Sequence, residues 1–424
     1  NEYWLSLEKR LPGQLSEFIR DWMQADQHRS YKVARENNYK ELYSSFKEIV
    51  RGRSVEGLFG SFVRFSHPYA LISGLEQTGI PRLDQVISDL NVIGVAPAYS
   101  YLTEVLAAWE AKAMTDGSVI SILTGIRTYL LRRRVLSLTQ AENKFYPVLG
   151  SRLEELLASE NLIDTLFSQL SSQEYALRIP NDDEMASRLR IMNFYNLGRS
   201  NNYLLLSMAE ESPTMSRPRW DDVKRQLEHI MPQKLNAAWK QALGGEAETV
   251  HQEFVNNVGN ITLIRHNQEL GNKAFVEKKA TYEGQSGLQI TQNRVVDRET
   301  WDEASIRRRQ DYLIHLFTQQ ILEVPERFKR ASNWSQNERQ SVQFDSRETL
   351  NQLIGQTIEF VSNPVMTAKV ISDSKVLFEG SEWSLGPLTK SLKERSGAIV
   401  SKSSNFHGAS NWSWDGIKLI DLDL

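Results

Sequence analysis

The chain has 424 residues, 40% of them apolar and 24% charged, with 50 Lys+Arg against 53 Asp+Glu and a net charge of −3. It has no cysteine, which excludes thiolate catalysis, zinc ribbons, iron–sulfur clusters and disulfides and leaves oxygen and imidazole as the only metal ligands. The near-neutral balance excludes a strongly basic nucleic-acid-binding protein, so any such binding must rest on local faces.

Residues 1 to about 215 read as helix almost throughout. Gly and Pro are sparse, and apolar residues recur at three- and four-residue spacings, as in Leu15, Phe18, Ile19 and Trp22. Further helices are expected over Asn38–Arg51, Ser54–Phe65, His67–Leu75, Ile80–Asn91, Tyr99–Met114, Ser118–Leu136, Ala141–Ala158, Asp183–Arg190 and Tyr203–Glu211. No stretch of about 18 apolar residues occurs, so a membrane-spanning helix is not expected. The start, NEYWLSLEKRL, has neither a basic segment nor an apolar one of secretory type. A bacterial cytoplasmic protein whose beginning lies further upstream is expected.

SPTMSRPRWDD, Ser212–Asp222, is a turn-rich joint. Short strands then follow at Leu227–Ile230 and Ile261–Ile264, with helices over Lys273–Tyr282 and Trp301–Leu322, an α+β pattern. Glu326–Glu348 is polar and reads as a linker. Beyond it Thr357–Val361, Thr367–Ile371 and Lys375–Glu379 alternate like strands of an antiparallel meander. A short helix, Pro387–Arg395, and a last strand, Ile417–Leu422, complete a small α+β module.

Of seven histidines, His229 has the most suggestive surroundings. In LEHIMPQ the carboxylate of Glu228 precedes it on a strand that Pro232 ends. Consecutive strand residues point to opposite faces, so the two can serve one site only where the strand ends and twists. Downstream, VGNITLIRHNQELGNKAFVEKK carries a Gly259-Asn260 turn, a strand, and Asn267 and Asn272 around a helix entry. Taken alone, the two asparagines read as helix caps and Lys273, Lys278 and Lys279 as a solvated face.

Together EHIMPQ, GNITLI and N-x4-N-K-x-F-x3-K resemble the HNH (His-Me finger, ββα-metal) nuclease domain of GmrSD-type modification-dependent restriction enzymes, a group that takes in SspE-like phosphorothioate-sensing nucleases. The segments LYSSFKEIV, IRTYLLRRRVL and RIMNFYNLGRSNNYLLLSMAEE are similar to the helical region ahead of that nuclease. No counterpart of the family's ParB-like nucleotide-binding domain is found, which implies such a domain upstream or in trans. The resemblance implies DNA, in modified form, as substrate and Mg2+ (or Mn2+) as cofactor. It assigns His229 as the base that activates water, Asn260 as the residue locking the loop that aims it, and Glu228 with Asn267, or alternatively Asn272, as metal ligands. Arg265, Lys273 and Lys279 become candidates for phosphate contacts. One carboxylate and one amide leave several waters on the ion, which suits magnesium.

Acidic and basic residues nearly balance between Trp220 and Gln320, so other modules are expected to supply DNA affinity. Arg132–Arg134 and Arg307–Arg309 are candidates, although a triple-basic run on a helix usually turns one member toward a carboxylate. FEGSEWSLGPLTKSL and NWSWDG resemble a RAMA-type module for which modified-DNA binding is proposed. There Trp412 and Trp414 share one strand face, open either to core packing or to stacking on a base.

The expected organisation is a mainly α-helical segment 1–215, an α+β HNH nuclease domain 216–325, a linker 326–348 and a RAMA-like module 349–424. An endonuclease or nickase of a restriction or anti-phage defence system is expected. The competing reading is a non-catalytic DNA-binding or partner-docking subunit. The oligomeric state stays open, a homo-oligomer included.

Overall fold

The computed structural model describes residues 2–29, 39–138, 142–171, 177–210, 226–264, 270–285, 291–330, 346–395, 411–415 and 417–419. The chain divides into two compact units, Asn1–Gln336 and Asn337–Leu424.

The first unit is mainly helical, as the spacing of its apolar residues predicts. In order come α1 (Glu2–Arg10), α2 (Leu15–Gln27), α3 (Tyr39–Val50), α4 (Val55–Ile72), α5 (Pro81–Ile93), α6 (Tyr99–Glu110) and α7 (Asp116–Val135). They are followed by α8 (Glu142–Gly150), α9 (Leu153–Leu157), α10 (Leu162–Ser171), α11 (Asp182–Ile191) and α12 (Arg199–Ala209). Local chemistry sets the boundaries. Ser54 accepts from the Gly57 amide at the start of α4, and Thr115 accepts from Ser118 at the start of α7. Asn181 and Glu184 form a reciprocal capping box on α11. Pro81 opens α5, and Gly94 closes it with φ of 78°, a conformation that favours glycine.

The helices expected over Ser54–Phe65 and His67–Leu75 are one helix, α4, with Pro68 inside it. An interior proline costs a helix about 3 kcal/mol. Aromatic packing on both sides of it offsets that cost, with Phe62 against Trp22 and Phe18, and Tyr69 against Phe18 and Tyr99. Helix α7 is covered all round, from Val119 to Val135, and so Arg132 and Arg133 are internal. Arg132 donates to the carbonyls of Leu322, Pro180 and Thr318 and pairs with Asp182, and Arg133 lies over the Tyr129 ring.

The unit continues through β1 (Gln226–His229), α13 (Ala237–Leu243), α14 (Ala247–Phe254), β2 (Ile261–Ile264) and α15 (Phe275–Gln285). It ends with α16 (Glu303–Leu316), a π-helical turn Phe317–Ile321, and α17 (Glu326–Lys329). Strands β1 and β2 pair antiparallel from Gln226↔Ile264 to His229↔Ile261. Helices α13 and α14 were not expected. The segments anticipated as 1–215 and 216–325 share a core: Val258, Ile261, Leu263, Leu313 and Phe317 lie in one cluster with Tyr203 to Leu206 of α12 and the buried face of α7. A second cluster, built on Trp239, Phe254, Tyr282 and Trp301, packs the other side of the strand pair.

The second unit comprises α18 (Ser346–Gln352), β3 (Thr357–Phe360), β4 (Asn363–Val370), β5 (Val376–Phe378), β6 (Ser381–Trp383), α19 (Leu385–Arg395), β7 (Trp412–Trp414) and β8 (Ile417–Lys418). Its six strands form an antiparallel sheet in the order β6-β5-β4-β3-β7-β8. The returning strand β7 pairs beside β3, with Phe360 opposite Trp412. Alternation along β3 and β5 buries Ile358, Phe360, Val376 and Phe378 against Leu388 and Leu392 of α19.

Candidate functional site

Asn260 organises the end of β1. It stands just before β2, fully buried, and its side-chain oxygen accepts from the Met231 amide at 2.7 Å and the Trp301 indole at 3.0 Å. Its side-chain nitrogen donates to the carbonyls of Met231 at 2.9 Å and Val255 at 3.0 Å. One amide thereby ties the segment leaving His229 to the end of α14. From α16, the buried Arg309 donates through one nitrogen to the carbonyls of Val258, Gly259 and Ile261, fixing the turn that carries Asn260. Gly259 is needed here because a Cβ would lie 2.5 Å from the Ile306 carbonyl.

Glu228 and His229 leave the strand toward different neighbours, as alternation requires. The His229 ring stacks on Tyr195 with centroids 4.8 Å apart and planes 5° from parallel. Its Nε2 lies 2.9 Å from the side-chain oxygen of Asn256. Burial pushes the imidazole pKa below its ordinary value, and the nearby charge of Lys278 pushes the same way, while the Asn256 bond opposes them. At neutral pH the ring is the uncharged, proton-accepting form.

Glu228 faces α15. Its Oε1 accepts from Lys278 Nζ at 2.8 Å and from the Tyr282 hydroxyl at 3.2 Å. Lys278 also donates to the His229 carbonyl at 2.7 Å, so one ammonium clamps both residues of the strand end. Lys278 is 1% exposed and Glu228 6%. Burial pushes the Glu228 carboxyl up, with the lysine pulling it back, and pushes the Lys278 ammonium down, with the carboxylate pulling it back. The geometry is that of a compact buried ion pair.

The expected metal ligands are only partly placed. Asn267, like the phosphate-contact candidate Arg265, lies outside the described residues. Asn272 is exposed in the turn before α15, where its backbone carbonyl accepts from Asn236. Among the described residues no group of three or more His, Asp or Glu could hold a metal ion. With an ammonium on its Oε1, Glu228 does not fit a divalent cation in this arrangement, because the two positive charges would repel.

Lys273 is exposed in the same turn, whereas Lys279 is half-buried and donates to the Arg298 carbonyl. Arg307 is engaged by Glu303 and Glu253, and Arg309 is internal. Neither run of three arginines therefore offers a set of unengaged cations. In the second unit Trp412 is 0% exposed and donates to Thr389, which makes it a core residue with no face open to a base. Trp414 is half-buried at the edge of the same core.

Residues 179–316 match the family model of the GmrSD restriction endonucleases, C-terminal domain. This region is of the GmrSD C-terminal type. The chain matches no curated protein. The GmrSD-type region takes in α11, the Phe194–Leu197 turn and α12 as well as everything from β1 to α16. It thus includes Tyr195 together with His229, Asn256, Asn260 and Lys278.

Four residues of this site carry weak sequence signals. Lys278 and Tyr282 stand four apart, hence on one helix face, yet a lysine in a charged string is indistinguishable from a solvated one. Asn256 belongs to an Asn-Asn pair that reads as a turn. Tyr195 lies more than thirty positions before His229, and nothing in the spacing connects them.

Proposed function

We propose that the GmrSD-type region is a DNA endonuclease or nickase of a modification-dependent restriction or anti-phage defence system, with His229 as its base. The observation that carries this is the imidazole at the end of β1, held by Asn256 and Tyr195 inside a region whose family comprises restriction endonucleases. The imidazole takes a proton from water as the water oxygen bonds to phosphorus. The opposite P–O bond breaks, and the departing oxygen is protonated from solvent. Asn260 keeps the strand end in place during this step. The strand pair β1–β2 followed by α15 is read as the ββα-metal element of an HNH nuclease.

Dependence on Mg2+ or Mn2+ is proposed from the sequence pattern. If Glu228 serves as a ligand, Lys278 must yield its place beside it, and Asn267 is the preferred second ligand. Exposed Lys273, with Arg265, is proposed to contact phosphate. Trp414 is the remaining aromatic candidate for recognition of modified DNA by the second unit. A ParB-like nucleotide-binding domain, upstream or in trans, completes the proposed system. Among the described residues no helix is long and apolar enough to cross a membrane.

The test is incubation of the full chain, alone and with a nucleotide-binding partner domain, with modified and unmodified supercoiled plasmid and Mg2+ or Mn2+. Nicked or linear product with wild type and none with His229→Ala supports the reading. Equal survival of the plasmid in both supports the partner-docking subunit instead.

A further inference from the structure

The imidazole of His229 has two nitrogens, and its neighbours treat them differently. Nε2 faces the side-chain oxygen of Asn256 at 2.9 Å. An amide oxygen only accepts, so a hydrogen bond there requires the proton on Nε2 and leaves Nδ1 bare. Asn256 is itself held from the helical side: its carbonyl accepts from the Phe194 amide at 2.8 Å. The adjacent Asn257 donates to the Arg190 carbonyl at 2.7 Å and caps Gly259 at 2.8 Å. Gln310 of α16 reaches the same Arg190 carbonyl at 2.9 Å. One residue past Phe194, Tyr195 stacks on the imidazole, and its amide is fixed by the Asn193 side chain at 3.0 Å. The segment 190–195 therefore does two jobs, covering one ring face and anchoring the residue that contacts Nε2.

We propose that Asn256 and Tyr195 are positioning residues that hold His229 as the Nε2–H tautomer, so that Nδ1 is the atom that accepts the proton. This rests on His229 being the base. Asn256 selects the tautomer through its acceptor oxygen, and Tyr195 keeps the ring from rotating about χ2. The segment between α11 and α12 is thereby part of the catalytic apparatus, although it lies outside the strand pair and α15.

Nitrogen-15 NMR of the full chain labelled at histidine tests this above neutral pH, with the His229 signals assigned by their loss in His229→Gln. The expected wild-type spectrum has an unprotonated, pyridine-type Nδ1 and a protonated, pyrrole-type Nε2 at His229. Asn256→Ala should move both shifts toward the averaged values of a free imidazole, and Asn256→Asp, which keeps an acceptor, should restore them. In cleavage assays Asn256→Ala should lower kcat about tenfold or more with KM unchanged. Tyr195→Ala should behave as Asn256→Ala does. A protonated Nδ1 in the wild type overturns the proposal, as does a tautomer unchanged in Asn256→Ala. The NMR readout needs no nuclease activity: a correct tautomer in an inactive chain refutes the nuclease reading and leaves the assignment of the ring's geometry standing.

Discussion

Replacing Lys278 with methionine keeps most of the side-chain volume but removes the ammonium from a site where both partners are nearly inaccessible. Among the described residues the Glu228 carboxylate then keeps only the Tyr282 hydroxyl, and the His229 carbonyl loses the lysine as donor. Breaking a buried pair by removing one partner costs about 3–5 kcal/mol, most of it from the stranded charge. Glu228→Gln combined with Lys278→Met removes both charges and should recover at least about 2 kcal/mol of the summed single losses. Urea unfolding followed at 222 nm, where the helical unit dominates, measures these quantities. A pH comparison adds a sign. A carboxyl whose folded pKa lies above its unfolded value stabilises the fold at low pH and loses that contribution as pH climbs. Glu228 is already displaced upward by burial, and loss of the lysine displaces it further, so the Lys278→Met deficit should shrink on going from pH 8 to pH 5. A deficit below about 1 kcal/mol at neutral pH, or strictly additive single and double variants, would refute the buried-pair account.

Glu104 should make stability pH-dependent, because burial pushes its carboxyl up to about 8. Its favourable contribution is complete below the ordinary value of 4.5 and is lost as pH rises through about 8, an effect of roughly 4–5 kcal/mol at most. Glu104→Gln should therefore raise the urea midpoint at pH 9 and leave it nearly unchanged at pH 4, and equal effects at both would contradict this. Gly259→Ala should cost at least about 1–3 kcal/mol, since its methyl group meets the Ile306 backbone rather than a movable side chain; an unchanged midpoint would mean that α16 can shift. Trp412→Ala should cost the second unit about 3–5 kcal/mol, and a folded unit with altered DNA affinity alone would restore a recognition role to that residue.

Periodicity located most helices of the first unit because burial of one face imposes a repeat on the sequence, and the strand Ile261–Ile264, buried on both faces, stood out as a short β-branched run after the Gly259-Asn260 turn. It split α4 between Phe65 and His67, just ahead of Pro68, whereas tertiary aromatic contacts invisible to local spacing carry the helix through that proline. It did not reveal that α12 and β2 share a core, since long-range packing leaves no local pattern. At the site, the string Glu228-His229 with Pro232 marked a strand end, and the Gly259-Asn260 turn marked the loop beside it. The partners of those residues were not legible. Lys278 reads as solvated until its helix is docked, and Tyr195 and Asn256 meet the imidazole only through the folding together of distant segments. Trp412 shows the converse: an aromatic residue in a Gly-rich, Trp-rich string suggested stacking on a base, and the fold uses it to fill a small core.

Everything proposed for the site depends on His229 acting as the base of a phosphodiester hydrolase. The most direct test of that role is single-turnover cleavage of supercoiled plasmid by wild-type chain and by His229→Ala, each with Mg2+ or Mn2+ and a nucleotide-binding partner domain. The rate in the variant should be at least about a hundredfold lower, with its circular dichroism and unfolding curve like those of wild type. Cleavage at the same rate by both proteins would contradict that role.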